Sequence, residues 1–254
     1  MKWTIWGIIF AAFALTTMAT AGTTQLRSST VKAKPSLTQT PQITTHVSQD
    51  AAKWTAAQQW LKSVGYDLTI DQMKTLKRLN LQKYSIAIQN NISDANMRHV
   101  ALLTNLEILQ IPKKIGDAGL QHIVGLTKLK SLNMPVCKVT DAGLQYLTNL
   151  TQLDSLVMSG LNISDAGIAK IKHLHPSVLN LTRTNITDAG VAMLENMPLR
   201  LLFISFTDIT DASVNELAKH NSLERLDIQG RDGISQAGYE QLKAALPNTR
   251  IVYP

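Results

Sequence analysis

The side chains in this chain that could do chemistry are six histidines, one cysteine and a set of evenly spaced aspartates. The aspartates follow a Ser/Thr-Asp-Ala signature at Ser93-Asp94-Ala95, Thr140-Asp141-Ala142, Ser164-Asp165-Ala166, Thr187-Asp188-Ala189 and Thr210-Asp211-Ala212, with degenerate copies at Gly116-Asp117-Ala118 and Ser235-Gln236-Ala237. A metal ladder is one use for such carboxylates. Calcium-binding β-rolls, however, need a Gly-Gly-x-Gly-x-Asp motif on a far shorter period. Helix capping accounts for the aspartates, because a carboxylate is favoured at the positive end of a helix.

The other candidates fare no better. Among His46, His99, His122, His173, His175 and His220, only His173 and His175 lie close together, on a loop before Pro176 and with no cysteine or carboxylate at ligand spacing. Nucleophilic catalysis needs a serine or cysteine on a sharp turn with a base and an orienting acid. There is no Gly-x-Ser-x-Gly elbow, and Cys137 reads as a small loop-packing residue. Phosphate-cradling glycine loops are missing as well. The sequence predicts no metal, no cofactor and no enzyme; an active site dispersed over the surface is the alternative, and it has no positive support.

The elements that position these residues repeat. With Thr69 added, the signature anchors step by 24, 23, 24, 24, 23, 23 and 25 residues. A fixed period of this size implies a stacked solenoid, because one unit cannot bury its own apolar face. In the copy beginning at Thr140, the threonine suits a helix N-cap, and Leu144, Leu147 and Leu150 form the stripe of a short helix. Leu153, Leu156 and Met158 then follow as Leu-x-x-Leu-x-Leu, whose last two members alternate as in a half-buried strand. The predicted strand pairs run from Ile86 and Ile88 through Leu109 and Ile111 to Leu226 and Ile228, with Ile251 and Tyr253 in an eighth strand.

The flanks differ. Residues 1–21 place Lys2 ahead of an apolar run and end in Ala19-Thr20-Ala21, the pattern of a cleaved signal peptide. A retained membrane anchor is the rival, but the run falls short of the roughly 20 residues a span requires. Residues 22–50, rich in Thr, Ser, Gln and Pro, read as a disordered tether. Residues 51–68 read as an N-terminal capping helix, with Trp54, Ala57, Leu61 and Val64 on one side, and residues 69–254 as repeats, beginning with a degenerate helix over 69–79. The prediction is an exported protein, periplasmic or extracellular, with no membrane insertion after cleavage. A single cysteine rules out an internal disulfide. A net charge of +7 without a dense Lys/Arg block argues against a nucleic-acid partner. The last strand carries no cap, which predicts fraying or weak self-association at that C-terminal edge.

The run Leu129-x-x-Leu132-x-Met134 followed by Val139-Thr140-Asp141-Ala142-Gly143-Leu144 resembles the α/β leucine-rich repeats, especially the bacterial GALA-like and ribonuclease-inhibitor-like forms. The resemblance covers residues 69–254. It implies an α/β horseshoe with parallel strands on the concave face and short helices on the convex face. It also implies a protein or peptide partner bound by the concave sheet, and it is a family whose bacterial members are often secreted or act as effectors on a host cell. The family's loop Asn/Cys slot holds Lys114, Cys137, Leu161, Thr184 and Thr207 here, so the usual Asn ladder is mostly absent.

Residues alternating with the buried ladder must point outward from the sheet. One predicted row is Ala87, Gln110, Asn133, Val157, Asn180, Phe203 and Asp227; the other is Ser85, Ile108, Ser131, Ser155, Val178, Leu201 and Arg225. Val157, Val178, Leu201 and Phe203 thus gather on neighbouring strands, bordered by Arg225 and Asp227. Either these six form a binding patch, or Phe203 merely covers its neighbours. A structural or self-assembling envelope protein is the alternative function.

Overall fold

Every turn of the chain contributes one three-residue strand, and the strands lie side by side in sequence order. The computed structural model describes residues 43–82, 88, 91–230 and 233–253. The expected signal peptide and most of the expected tether fall outside them. A single parallel sheet runs β1 (Arg78–Asn80), β2 (Ile108–Gln110), β3 (Ser131–Asn133), β4 (Ser155–Val157), β5 (Val178–Asn180), β6 (Leu201–Phe203), β7 (Arg225–Asp227) and β8 (Arg250–Val252). The register is constant: Leu79, Leu109, Leu132, Leu156, Leu179, Leu202, Leu226 and Ile251 pair in one line. All but Ile251 in that line are buried, so each strand gives its middle side chain to the core and its two ends to the open face. The chain is an α/β leucine-rich-repeat solenoid.

The first strand is not where the period places it. It uses Leu79 and Leu81, not Ile86 and Ile88; Ile88 is partly buried against the core and Ile86 lies outside the described residues. Leu76-x-x-Leu79-x-Leu81 is itself a full Leu-x-x-Leu-x-Leu run, so apolar pattern wins over spacing, and the extra residues sit between strand and helix. Arg78 and Asn80 therefore replace Ser85 and Ala87 in the outward rows.

Short helices cover the other side of the core. Ahead of them runs the longer α1 (Ile43–Ser63), which starts before the expected boundary at residue 51, and the first repeat opens with α2 (Ile70–Lys74), which is shorter than the helix expected over 69–79. α2 has a capping box in which Thr69 and Gln72 satisfy each other's backbone. Ala57, Trp60, Leu61 and Val64 of α1 are buried, Trp54 half-buried. The Trp60 ring stacks on His99 at 5.5 Å. That histidine belongs to α3 (Met97–Val100), so α1 shields the first turn of the stack. The later turns carry α4 (Asp117–Leu120), α5 (Asp165–Ile171), α6 (Asp188–Ala192), α7 (Val214–Leu217) and α8 (Gln236–Ala245), with single 3-10 turns such as Gly143–Leu147 between them.

The aspartates do more than favour helix ends. At Thr140, Ser164, Thr187 and Thr210 the signature hydroxyl caps its own turn, as Ser164 does by accepting from the Ala166 amide, whereas the Ser93 hydroxyl donates to Asn96 Oδ1 at 2.6 Å. The aspartate reaches instead to the following repeat. Asp117 accepts from the Thr140 amide (2.8 Å) and hydroxyl (2.7 Å); Asp141 from Ser164 (2.8 and 2.6 Å); Asp165 from Thr187 (2.9 and 2.7 Å); Asp188 from Thr210 (2.8 and 2.7 Å); Asp211 from Ser235 (2.8 and 2.6 Å). Asp94 finds only the Gly116 amide, since glycine has no hydroxyl. Bonds to an ionised acceptor are the stronger kind. They also explain the glycine that follows four of the six Asp-Ala pairs, at Gly119, Gly143, Gly167 and Gly190: a Cβ on Gly143 would overlap the Asp117 carboxylate arriving from the turn before. Where Ser213 takes that slot, its hydroxyl becomes a further donor to Asp188.

Candidate protein-binding face

The six residues singled out from the sequence sit on four consecutive strands and point away from the core. Val178, Leu201 and Arg225 are direct neighbours across β5, β6 and β7. In the second row Asn180 separates Val157 from Phe203, and Phe203 abuts Asp227. All six are half-buried. Leu201 and Phe203 thus flank the fully buried Leu202 on a three-residue strand, and both must face outward.

The charged border is not a pair of free groups. Arg225 donates to both oxygens of Asp227, Nε to Oδ1 and Nη2 to Oδ2, each at 2.8 Å. Its guanidinium lies 5.2 Å from the centre of the Phe203 ring. One arginine therefore neutralises the aspartate and covers part of the phenylalanine, a planar group suited to both tasks. The Asp227 bonds push the Arg225 pKa up further, which leaves its charge fixed.

A second aromatic was not legible from the strand slots. Phe206, in the loop after β6, is 49% exposed, and Arg183 from the preceding turn lies 5.1 Å over its ring. Val136, Arg183 and Phe206 occupy equivalent loop positions and all have left-handed backbone, with φ of 56°, 59° and 57°. Gly160 fills the same position in the turn between at 69°. An L-residue there costs about 1–2 kcal/mol, which glycine avoids. The inter-turn bonds hold the strained loops in place, as from the Arg183 amide to the Ser205 carbonyl at 2.9 Å and from the Phe206 amide to the Gln229 carbonyl at 2.6 Å.

In the polar half of the face Asn133 departs from its neighbours. Asn80 and Asn180 each accept from the amide two residues on, in Gln82 and Thr182. Asn133 meets Pro135 at that place, and proline has no N–H; the buried Asn133 Oδ1 has no partner among the described residues. In the family's loop Asn/Cys slot, Thr184 and Thr207 donate to the carbonyls of Leu181 and Ile204 at 2.7 and 2.6 Å. Cys137 turns its thiol toward the carbonyl of Pro112 at 3.3 Å, and burial pushes its pKa up to about 12. Such a thiol is almost never a thiolate. His173 Nε2 bonds the Thr148 carbonyl at 2.9 Å. No cluster of three potential metal ligands occurs among the described residues, and none of their helices is long and apolar enough to cross a membrane.

Comparison with known proteins bears on the fold. A family profile described as leucine-rich repeat matches residues 177–194. Among solved structures, an internalin (inlF) from Listeria monocytogenes superposes with a TM-score of 0.50 at 19% identity, covering 71% of this chain and 61% of its own length. The chain thus spans about three fifths of that protein, and the likeness is one of fold. No curated protein matches.

Proposed function

Because the chain is a leucine-rich-repeat protein, we propose that it is a non-catalytic module that holds a protein or peptide partner against the open face of its sheet, around Val157, Val178, Leu201 and Phe203 with Arg225 and Asp227. The observation that carries this reading is the outward, half-buried placement of Leu201 and Phe203 on one strand, next to Val178 in register. Apolar side chains clustered at the centre of a rigid face and rimmed by charge are how binding hot spots are built. The rigid sheet adds to it, since little ordering is required on binding.

The leader read from residues 1–21 extends the proposal: the module works after export, in the periplasm or outside the cell, and delivery to a host as an effector is a further extension. Amino-terminal sequencing of the protein recovered from a secreting cell tests this, and a start at Gly22 is the expected result.

The face itself is tested with immobilised full chain beside the Leu201→Ser/Phe203→Ser double variant. A protein retained by the first and lost by the second, while the variant keeps its circular dichroism and melting transition, supports the reading. Equal retention by both removes this face from the function.

A further inference from the structure

The two phenylalanines of one turn are each overlaid by an arginine, one from the turn before and one from the turn after. Phe203 and Phe206 lie three residues apart, and the Arg225 and Arg183 guanidiniums stand 5.2 and 5.1 Å from their rings. Resting on the reading of the sheet as a binding face, we propose that this turn recognises an acidic, apolar peptide segment: an aliphatic or aromatic side chain against Leu201, Phe203 and Phe206, with carboxylates flanking it at the arginines.

Charge complementarity selects that chemistry. Guanidinium presents five N–H donors in a fork matched to carboxylate. Arg225 spends two on Asp227 and keeps three. Arg183 is exposed and makes no ion pair among the described residues. Arg250, the neighbour of Arg225 in register, is likewise exposed and unpaired among them. In the two outward rows the only carboxylate is Asp227, already held by Arg225. Exposed Asp208 lies beside Phe206 and is one carboxylate against the three guanidiniums, so a basic segment meets a net positive face, whereas an acidic one finds donors held over the rings.

Backbone conformation supplies a clean probe. Phe206 and Arg183 both have φ near 58° in the left-handed region, where glycine is at ease. Phe206→Gly and Arg183→Gly therefore remove side chains without forcing the fold.

A random peptide library displayed on phage is selected against the full chain, and enriched sequences are remade as synthetic peptides. The expected result is enrichment of segments with Asp or Glu beside an aliphatic or aromatic residue. Changing those acids to Asn or Gln is expected to weaken binding at least about tenfold, as are Phe206→Gly and Arg183→Gly in the protein, with unchanged melting. Enriched peptides that are neutral or basic overturn the acidic assignment while leaving the face as a binding surface. Acidic peptides that bind both glycine variants as well as the parent overturn the placement on this turn. If nothing enriches, peptide recognition fails, and the double serine variant separately decides whether the face binds a folded protein. Binding to anionic vesicles of phosphatidylglycerol but to no peptide also overturns it.

Discussion

The Asp141 carboxylate holds both the amide and the hydroxyl of Ser164, one full turn further along the chain. The same contact recurs at four other steps of the stack and survives in part at Asp94. The aspartates are therefore struts between turns, and their energetics are open to direct measurement.

Asp141→Ala removes a charged acceptor from two donors and is expected to cost about 2–3 kcal/mol in urea denaturation. Asp141→Asn keeps one acceptor oxygen and loses less. Gly116→Ser has the opposite sign. Gly116 has extended backbone like the other caps, and a Cβ there meets Asp94 Oδ2 at 3.6 Å, ordinary contact. Its hydroxyl supplies the missing bond, for a gain of about 1 kcal/mol. A loss of stability in Gly116→Ser would refute the strut assignment at that step.

Adjacent leucines on β6 are expected to behave in opposite ways. Leu202 is fully buried, so Leu202→Ala leaves a cavity and costs about 2–5 kcal/mol. Leu201 faces outward, and Leu201→Ala costs under about 1 kcal/mol. Comparing the two denaturation midpoints checks which side of the sheet is core.

Acid weakens the fold in two windows. Burial lowers the pKa of His220 and, with help from the Arg98 charge, of His99, below the ordinary 6.5. The unfolded chain then binds more protons than the folded one, so this stability is complete above about pH 6.5 and drains away as pH falls toward the lowered values. For Asp188, burial pushes its pKa up, but bonds from Ser213 and Thr210 outweigh it; bonds from Ser235 lower Asp211. Their contribution is present above about pH 3.8 and lost below it. Denaturation midpoints should fall from pH 7.5 to pH 5, and less so in His220→Leu; an unchanged midpoint in the parent contradicts the burial of these rings.

Cys137 is expected to resist thiol reagents. With its pKa near 12 and its thiol buried, modification by Ellman's reagent at pH 8 should follow unfolding only, and fast labelling of the native protein would contradict the packing.

Much of this was visible in the order of residues, because a period of two on a strand and a fixed period of turns leave little freedom. The outward placement of Val178, Leu201 and Phe203 followed from alternation alone. Equal spacing misplaces the first strand, although Leu76-x-x-Leu79-x-Leu81 carries the apolar pattern in full. The partners of the aspartates lie 22 to 24 residues away; local capping rules look three residues ahead and cannot find them. Phe206 was hidden for another reason: its exposure depends on a left-handed backbone that no side-chain pattern marks.

The strut has a direction, since the carboxylate always belongs to the earlier turn and the donors to the later one. Residues 141–164 begin with an acceptor and end with its own two donors, so this stretch is chemically closed. A second copy spliced in after Ser164 would pair its own aspartate with its own serine and leave Asp165 to Thr187 as before. The body can therefore be lengthened or shortened by whole modules without redesigning any junction, and the reach of its inner wall is adjustable in steps of one strand.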